Sequence, residues 1–345
     1  MDNNLNEELH LFSDMQLFNT APSGVIKLST NFIRGASGVK KRKIQRGGNT
    51  ISINEATPND KKIEDTCIEI YQDKELRRKI DYKTLQNEAI LSLRGKFEEY
   101  DLVPLDSYSK IKNKEINRIR NIAIDNYIKN EVSQLIPKTI KYPIRDFINR
   151  TGIKRIRNRF NEALKVISES SVKLSHSWVN QSVEFIEKDG KKKAVVINDL
   201  TQGSIIPKFT LRFNDNMKKH FNDEEILKIN MEKLIELDIP NKEGVIDYII
   251  LETDPKTVLE IVGVGLFGSL FGRGYARSER RNRNLYKKST TFDFDLLVRS
   301  IINIPENSTL THFTFEQLKD ILGANSHIDW ESFKKNILMP VIFNN

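Results

Sequence analysis

The sequence YPIRDFINRTG (Tyr142–Gly152) followed by IKRIRNRFNEALKVI (Ile153–Ile167) predicts two helices joined by a glycine turn. Pro143 suits the first position of a helix, and Gly152 suits the residue just past a helix end. At helical spacing the second segment is apolar on one side and basic on the other, which is typical of a helix-turn-helix. The apolar side consists of Ile153, Ile156, Phe160, Ala163, Leu164 and Ile167, and the outer side and its margins hold Lys154, Arg155, Arg157, Asn158, Arg159, Asn161 and Lys165.

Two β-rich runs follow, and the dipeptide Asp189–Gly190 between them is a strong signal for a hairpin turn. A third strand is predicted within Gly203–Asn214. A helix-turn-helix followed by a hairpin with a basic tip indicates a winged helix, whose wing would lie along DNA phosphates. A merely solubilised turn is the alternative explanation of the lysines. The basic tip consists of Lys188, Lys191, Lys192 and Lys193.

A fainter copy of the helix–glycine–helix pattern lies near the C-terminus. In FTFEQLKDILG (Phe313–Gly323), Thr314 and Gln317 have the spacing of a capping box. In DWESFKKNILMPVI (Asp329–Ile342), Lys334 lies at the margin of the outer face and Lys335 points outward. We therefore predict an α+β fold, mostly helical, with two winged-helix domains, the second lacking a wing. The inner face of the last helix is predicted to hold Trp330, Phe333, Ile337 and Val341.

Composition and pattern divide the chain into five parts. The first is a disordered basic N-terminal tail, because its glycines, lysines and polar residues are typical of linkers. The second is helical, the third and fifth are the two winged helices, and the fourth is an interdomain insertion. The predicted boundaries are 1–62, 63–138, 139–221, 222–288 and 289–345.

The insertion contains IVGVGLFGSLFGRG (Ile261–Gly274), the most apolar run of the chain. It is shorter than the about 20 residues that span a membrane. It also lacks the uninterrupted helix and the later acidic residue that a dinucleotide fingerprint requires. We interpret it as a hinge leading into a basic arm that contacts the DNA backbone, with a solvated linker as the alternative. The arginines of the arm are Arg273, Arg277, Arg280, Arg281 and Arg283.

Charge and cysteine content narrow the classes of protein. The chain has 345 residues, with 55 Lys and Arg against 47 Asp and Glu, a formal net charge of +8. Such a balance favours a polyanionic partner. Cys67 is the only cysteine, so no disulfide can form within the chain and zinc-finger spacing is absent. The start of the chain has no signal-peptide pattern, so we expect a cytoplasmic protein without membrane contact.

Enzyme motifs are weak, and we expect a protein that is not an enzyme and uses neither metal nor cofactor. A P-loop motif is absent from the sequence. Asp293 and Asp295 have the spacing of a magnesium pair, but acids at the start of a helix favour its positive end, so capping is the better interpretation. The segment DYIILETDPK loosely resembles a nuclease core, so a metal-dependent nuclease stays as an alternative. Its polar members are Asp247, Glu252, Asp254 and Lys256.

The segments Tyr142–Phe221 and Phe292–Ile342 resemble the two winged-helix domains of iteron-binding plasmid replication initiators, the Rep (RepB/RepE-like) family. The resemblance implies recognition helices that enter major grooves of repeated origin sequences, through Lys154, Arg155, Asn158, Lys334 and Lys335. It also implies partners: double-stranded DNA, a host initiator, a replicative helicase and a second copy of the chain. The long insertion departs from the family pattern. A winged-helix transcriptional regulator without a role in replication is the alternative.

Overall fold

The computed structural model describes residues 15–17, 25–29, 42–46, 49–53, 56–72, 81–102, 114–153, 159–188, 190–206, 208–236, 244–259, 275–302, 313–322 and 328–343. The fold over these residues is mixed α+β with small, mostly antiparallel sheets. The helices are α1 (Pro58–Tyr71), α2 (Tyr82–Glu99), α3 (Lys114–Leu135), α4 (Ile144–Thr151), α5 (Arg159–Lys173), α6 (Asp223–Leu227), α7 (Met231–Glu236), α8 (Arg280–Arg283), α9 (Ser289–Ile302), α10 (Phe315–Leu322), α11 (Trp330–Phe333) and α12 (Met339–Phe343). The strands are β1 (Met15–Leu17), β2 (Val25–Ser29), β3 (Arg42–Arg46), β4 (Asn49–Ile53), β5 (Thr139–Pro143), β6 (Ser175–Lys188), β7 (Lys191–Ser204), β8 (Lys208–Phe213), β9 (Ile246–Glu252) and β10 (Tyr275–Glu279).

Helix α1 begins inside the segment that the composition assigned to a disordered tail. Thr57 and Asp60 form a reciprocal capping box, in which each side chain accepts from the other's backbone N–H. Pro58 occupies the first helical turn, where its missing N–H costs nothing. Strands β1 to β4 also lie within residues 1–62, so the structure differs from the predicted tail at these positions.

The four-stranded sheet has the order β1-β5-β9-β8. Strand β9 lies at its centre, antiparallel to both β5 and β8, and Ile249 and Leu251 are fully buried. The prediction placed this strand in an interdomain insertion. Its run of consecutive apolar residues belongs instead to the sheet that packs on α4.

Strands β6 and β7 form a long hairpin that is a sheet of its own. Lys188 pairs with Lys191 across the tip, and Gly190 has a φ of 69°, so the predicted hairpin is confirmed. The predicted third strand is present as β8, but it pairs with β9 and not with the hairpin. Its alternating exposed and half-buried residues place one face against the core and the other toward solvent.

The paired helices α4 and α5 match the predicted helix–glycine–helix pattern. Gly152 ends α4 in the left-handed conformation, with a φ of 65°, as predicted. Pro143 is the last residue of β5 and precedes the helix, so it is not the first helical residue. The predicted inner face is confirmed where it is described: Ile153, Phe160, Ala163, Leu164 and Ile167 are buried.

Two hydrophobic clusters form the interior of the described residues. The larger one unites α1, α3, α4, α5 and the four-stranded sheet. The smaller one, which we call the C-terminal core, packs α9 and α10 against the last helical stretch, where α11 and α12 flank a π-helical turn (Lys334–Leu338). Phe333, Ile337 and Val341 are buried there as predicted, whereas Trp330 is 45% exposed.

Substitution of Gly152 tests this turn. A Cβ atom at Gly152 would lie 2.8 Å from the side-chain nitrogen of Asn284. The backbone of Gly152 is also in the left-handed conformation, which a residue with a side chain rarely adopts. We expect Gly152→Ala to lower the free energy of unfolding by more than the about 1–2 kcal/mol that a left-handed alanine costs alone. Denaturant unfolding measures this. Gly190→Ala is the matched control, because its φ is also left-handed but open space surrounds it. Equal losses in the two variants would show that Asn284 contributes nothing.

Candidate nucleic-acid interface

The distal half of the hairpin has two faces of different character. Val183, Phe185 and Ala194 pack against the larger hydrophobic core, which defines the inner face. Phe185 pairs with Ala194, and Glu187 pairs with Lys192 two positions nearer the tip. Because side chains alternate along a strand and directly paired residues share a face, Lys192 lies on the inner face.

The other lysines of the tip lie on the outer face. Lys188 is paired with Lys191, and Ile186 is paired with Lys193. All three lysines are exposed, and within the described part of the chain none of them forms an ion pair. Lys192 by contrast has its ammonium 2.8 Å from Glu99 of α2, and this hydrogen bond raises the pKa of Lys192. The predicted group of Lys191, Lys192 and Lys193 therefore divides between two faces.

The first predicted recognition helix is described only in part. Residues 154–158 lie outside the described residues, and α5 begins at Arg159, whose side chain is not described either. The predicted contacts of Lys154, Arg155, Arg157, Asn158 and Arg159 with DNA thus stay predictions.

The second predicted recognition helix presents its two lysines to solvent. Lys334 and Lys335 are exposed and lie in the π-helical turn (Lys334–Leu338). Phe333 and Ile337 on the same helical stretch are buried, which fixes the two lysines on the side away from the C-terminal core. Their position agrees with an outward basic face.

Two arginines of the predicted basic arm are inside the protein. Arg280 and Arg283 are 5% and 1% exposed, so their assignment to an arm on the DNA backbone is corrected. Arg281 lies between them on α8 and is exposed, with Glu279 as its partner at 2.7 Å. Arg273 and the side chain of Arg277 lie outside the described part.

Arg283 is held by two carboxylates, one 218 positions away in the chain and the other 12 positions away. Its Nε and Nη2 donate to both oxygens of Asp65, each at 2.8 Å, and its Nη1 lies 3.3 Å from Asp295. Both carboxylates are fully buried. Burial alone would lower the pKa of Arg283, but Asp65 and Asp295 raise it above its usual value. The guanidinium is therefore charged, and its charge is neutralised inside the protein.

Further pairs extend this buried ion cluster. Asp295 also accepts from Arg299 at 2.7 Å and from the hydroxyl of Ser278. The ammonium nitrogen of Lys61 in α1 lies 3.3 Å from a carboxylate oxygen of Asp293. The cluster thus joins α1 to α8 and α9, and its cations and carboxylates neutralise one another inside the protein.

Neither predicted acidic site takes the form of a metal centre. Asp293 and Asp295 lie in the second turn of α9, which begins at Ser289, so they pair with buried cations and do not cap the helix. Asp247 and Glu252 lie five positions apart on β9, so their backbone positions are about 16 Å apart, too far to hold one metal ion together. Asp254 accepts from the backbone and hydroxyl of Thr257. Among the described residues, no group of three or more His, Cys, Asp and Glu side chains could hold a metal ion.

Over the same described residues, no helix is both long and apolar enough to cross a membrane. Comparisons of the chain with protein-family models, with curated proteins and with solved structures find no match.

The two neighbouring arginines of α8 provide a test of the buried cluster. We expect Arg283→Ala to lower the free energy of unfolding by about 3–5 kcal/mol, because it leaves Asp65 buried without its partner. Arg281→Ala deletes an arginine side chain that is exposed to solvent, so it should change the free energy of unfolding by less than about 0.5 kcal/mol. Denaturant unfolding of both variants measures the difference. Similar small losses would show that the buried ion pair is not needed for the fold.

Proposed function

We propose that this chain is a sequence-specific double-stranded DNA-binding protein, of the type of a plasmid replication initiator that binds repeated origin sequences and recruits host replication proteins. The hairpin acts as a wing, and its outer-face lysines contact the phosphate backbone. The helix pair α4 and α5 supplies the base-reading helix, and the C-terminal helical stretch supplies a second basic face.

The observation that carries the proposal is the outer face of the hairpin tip. Lys188, Lys191 and Lys193 converge there, exposed and without acidic partners in the described part of the chain, while Lys192 is neutralised on the inner face. Three exposed cations on one face of the hairpin tip suit phosphate binding, because phosphate contacts need charge but no base information.

The order of elements around this hairpin supports the same proposal. Helix α3, the short strand β5, the pair α4 and α5, and the hairpin succeed one another along the chain. A winged helix uses such an order, with the second helix of the pair in the major groove. Here the hairpin pairs with no further strand among the described residues, and β5 joins β9, so the domain departs from the simplest form of that fold.

An initiator and a transcriptional regulator differ in the DNA that they select. We expect selection from random duplexes, followed by footprinting on the replicon that encodes the chain, to yield tandem repeats. A single palindrome over the chain's own promoter would instead identify a regulator. Loss of supercoiled plasmid with magnesium would identify a nuclease.

The outer-face lysines have a specific expected effect. The double variant Lys191→Ala with Lys193→Ala should weaken binding to all duplexes alike. The slope of log affinity against log salt should fall by up to about 0.9 for each phosphate that the protein no longer neutralises. Fluorescence anisotropy across a salt series measures both quantities. Lys192→Ala is the control and should keep the salt slope, since its charge lies on the inner face. Equal slopes in the double variant and the control would refute the wing contact.

Base reading is tested on the predicted recognition helix. We expect Arg155→Ala and Asn158→Ala to reduce the ratio of specific to random binding, because a bidentate base contact discriminates by about 1–3 kcal/mol. Lys165→Ala, an exposed position further along the same segment, should leave that ratio unchanged. Competition binding with both duplexes measures the ratio. An unchanged ratio in the first two variants would mean that another element reads the bases.

A further inference from the structure

The C-terminal turn formed by the end of α2 and its cap residue Tyr100 contacts the distal half of the hairpin through three side chains. The ring of Tyr100 lies 5.0 Å from that of Phe185, edge to face at 66°. The ammonium of Lys96 lies 5.4 Å from the same ring, and Glu99 holds Lys192 at 2.8 Å. All three residues of this turn therefore touch the inner face, opposite to the lysines of the proposed DNA contact.

The end of α2 is itself fixed by local structure. The backbone N–H of Leu102 donates to the carbonyl of Phe97 at 2.8 Å, and both side chains are buried. Asp101 between them has a φ of 53°, the left-handed conformation that closes such a helix end. Phe97 also stacks against Arg120 of α3, at 5.3 Å. The turn that touches the hairpin is thus anchored to the body of the protein.

We propose that α2 is a positioning element for the hairpin, with Tyr100 and Glu99 as positioning residues that hold its outer face ready for DNA. The inference rests on the proposed function, since it assigns a purpose to the orientation of the tip. A hairpin whose distal half is unsupported must be ordered when it binds, and that ordering lowers affinity. Because α2 already holds the distal half of the hairpin in place in the free protein, binding to DNA does not include this ordering cost.

This role differs in its signature from a direct contact. Removing a lysine of the outer face removes a phosphate contact and lowers the salt slope. Removing a positioning residue leaves the same phosphates contacted in the complex, so affinity falls while the slope stays. Tyr100→Ala is expected to weaken binding about two- to tenfold, the range that corresponds to removal of one aromatic pair.

The experiment combines amide hydrogen exchange of the free protein with anisotropy across a salt series. In Tyr100→Ala we expect faster exchange at residues 183–196, unchanged exchange in α1, weaker binding and an unchanged salt slope. Tyr100→Phe should restore both exchange and binding, because the ring is kept. Glu99→Gln, an exposed change that removes the charged partner of Lys192 without adding a cation, should act like Tyr100→Ala without endangering folding. Leu91→Ala, at a 70% exposed position of the same helix, is the matched control and should change nothing.

The outcomes separate this inference from the proposed function. Unchanged exchange at residues 183–196 in both Tyr100→Ala and Glu99→Gln would overturn the positioning role, whatever DNA binding does. Faster exchange with unchanged affinity would also overturn it, provided that the Lys191 and Lys193 double variant binds less tightly. If that double variant binds normally, the wing contact itself is wrong, and the exchange data still decide whether α2 orders the hairpin.

Discussion

The bidentate pair between Arg283 and Asp65 is the interaction on which the arrangement of the chain depends. The two residues are 218 positions apart, both are buried, and Asp295 completes the neutralisation of charge. A buried charge without its partner destabilises the fold by several kcal/mol. Separation of α1 from α8 and α9 is therefore strongly unfavourable. The C-terminal core is thereby tied to the body by ionic contacts as well as by packing.

The buried ion pairs determine which cations of the chain remain accessible to a polyanion. A net charge of +8 says nothing about position, and the densest basic run of the C-terminal half places Arg280 and Arg283 in the interior. Lys61, near the start of α1, is likewise buried beside Glu64 and Asp293. The lysines of the hairpin tip and of the π-helical turn are exposed instead, so they remain accessible to a polyanion.

Local signals in the sequence predicted local structure well. The glycine stop of α4, the turn at Gly190 and the capping box at Thr314 each depend on residues a few positions apart, and each is present. Contacts between residues that are far apart in the sequence could not be predicted from such local signals. A basic run has the same composition whether its cations face solvent or pair with a buried carboxylate such as Asp65. Nothing near Arg283 in the sequence indicates that Asp65 is its partner. The central place of β9 was missed for the same reason, since strand neighbours are set by topology.

The two faces of the hairpin show how such nonlocal packing controls a local charge pattern. Three consecutive lysines are equivalent in composition, yet the pleat sends Lys192 inward and its two neighbours outward. The parity is set by Phe185 and Val183, because the apolar residues must face the core. A shift of one residue along the strand would exchange the faces of the lysines and turn Val183 and Phe185 away from the core. The apolar face thus fixes the side on which the hairpin exposes Lys188, Lys191 and Lys193 to solvent.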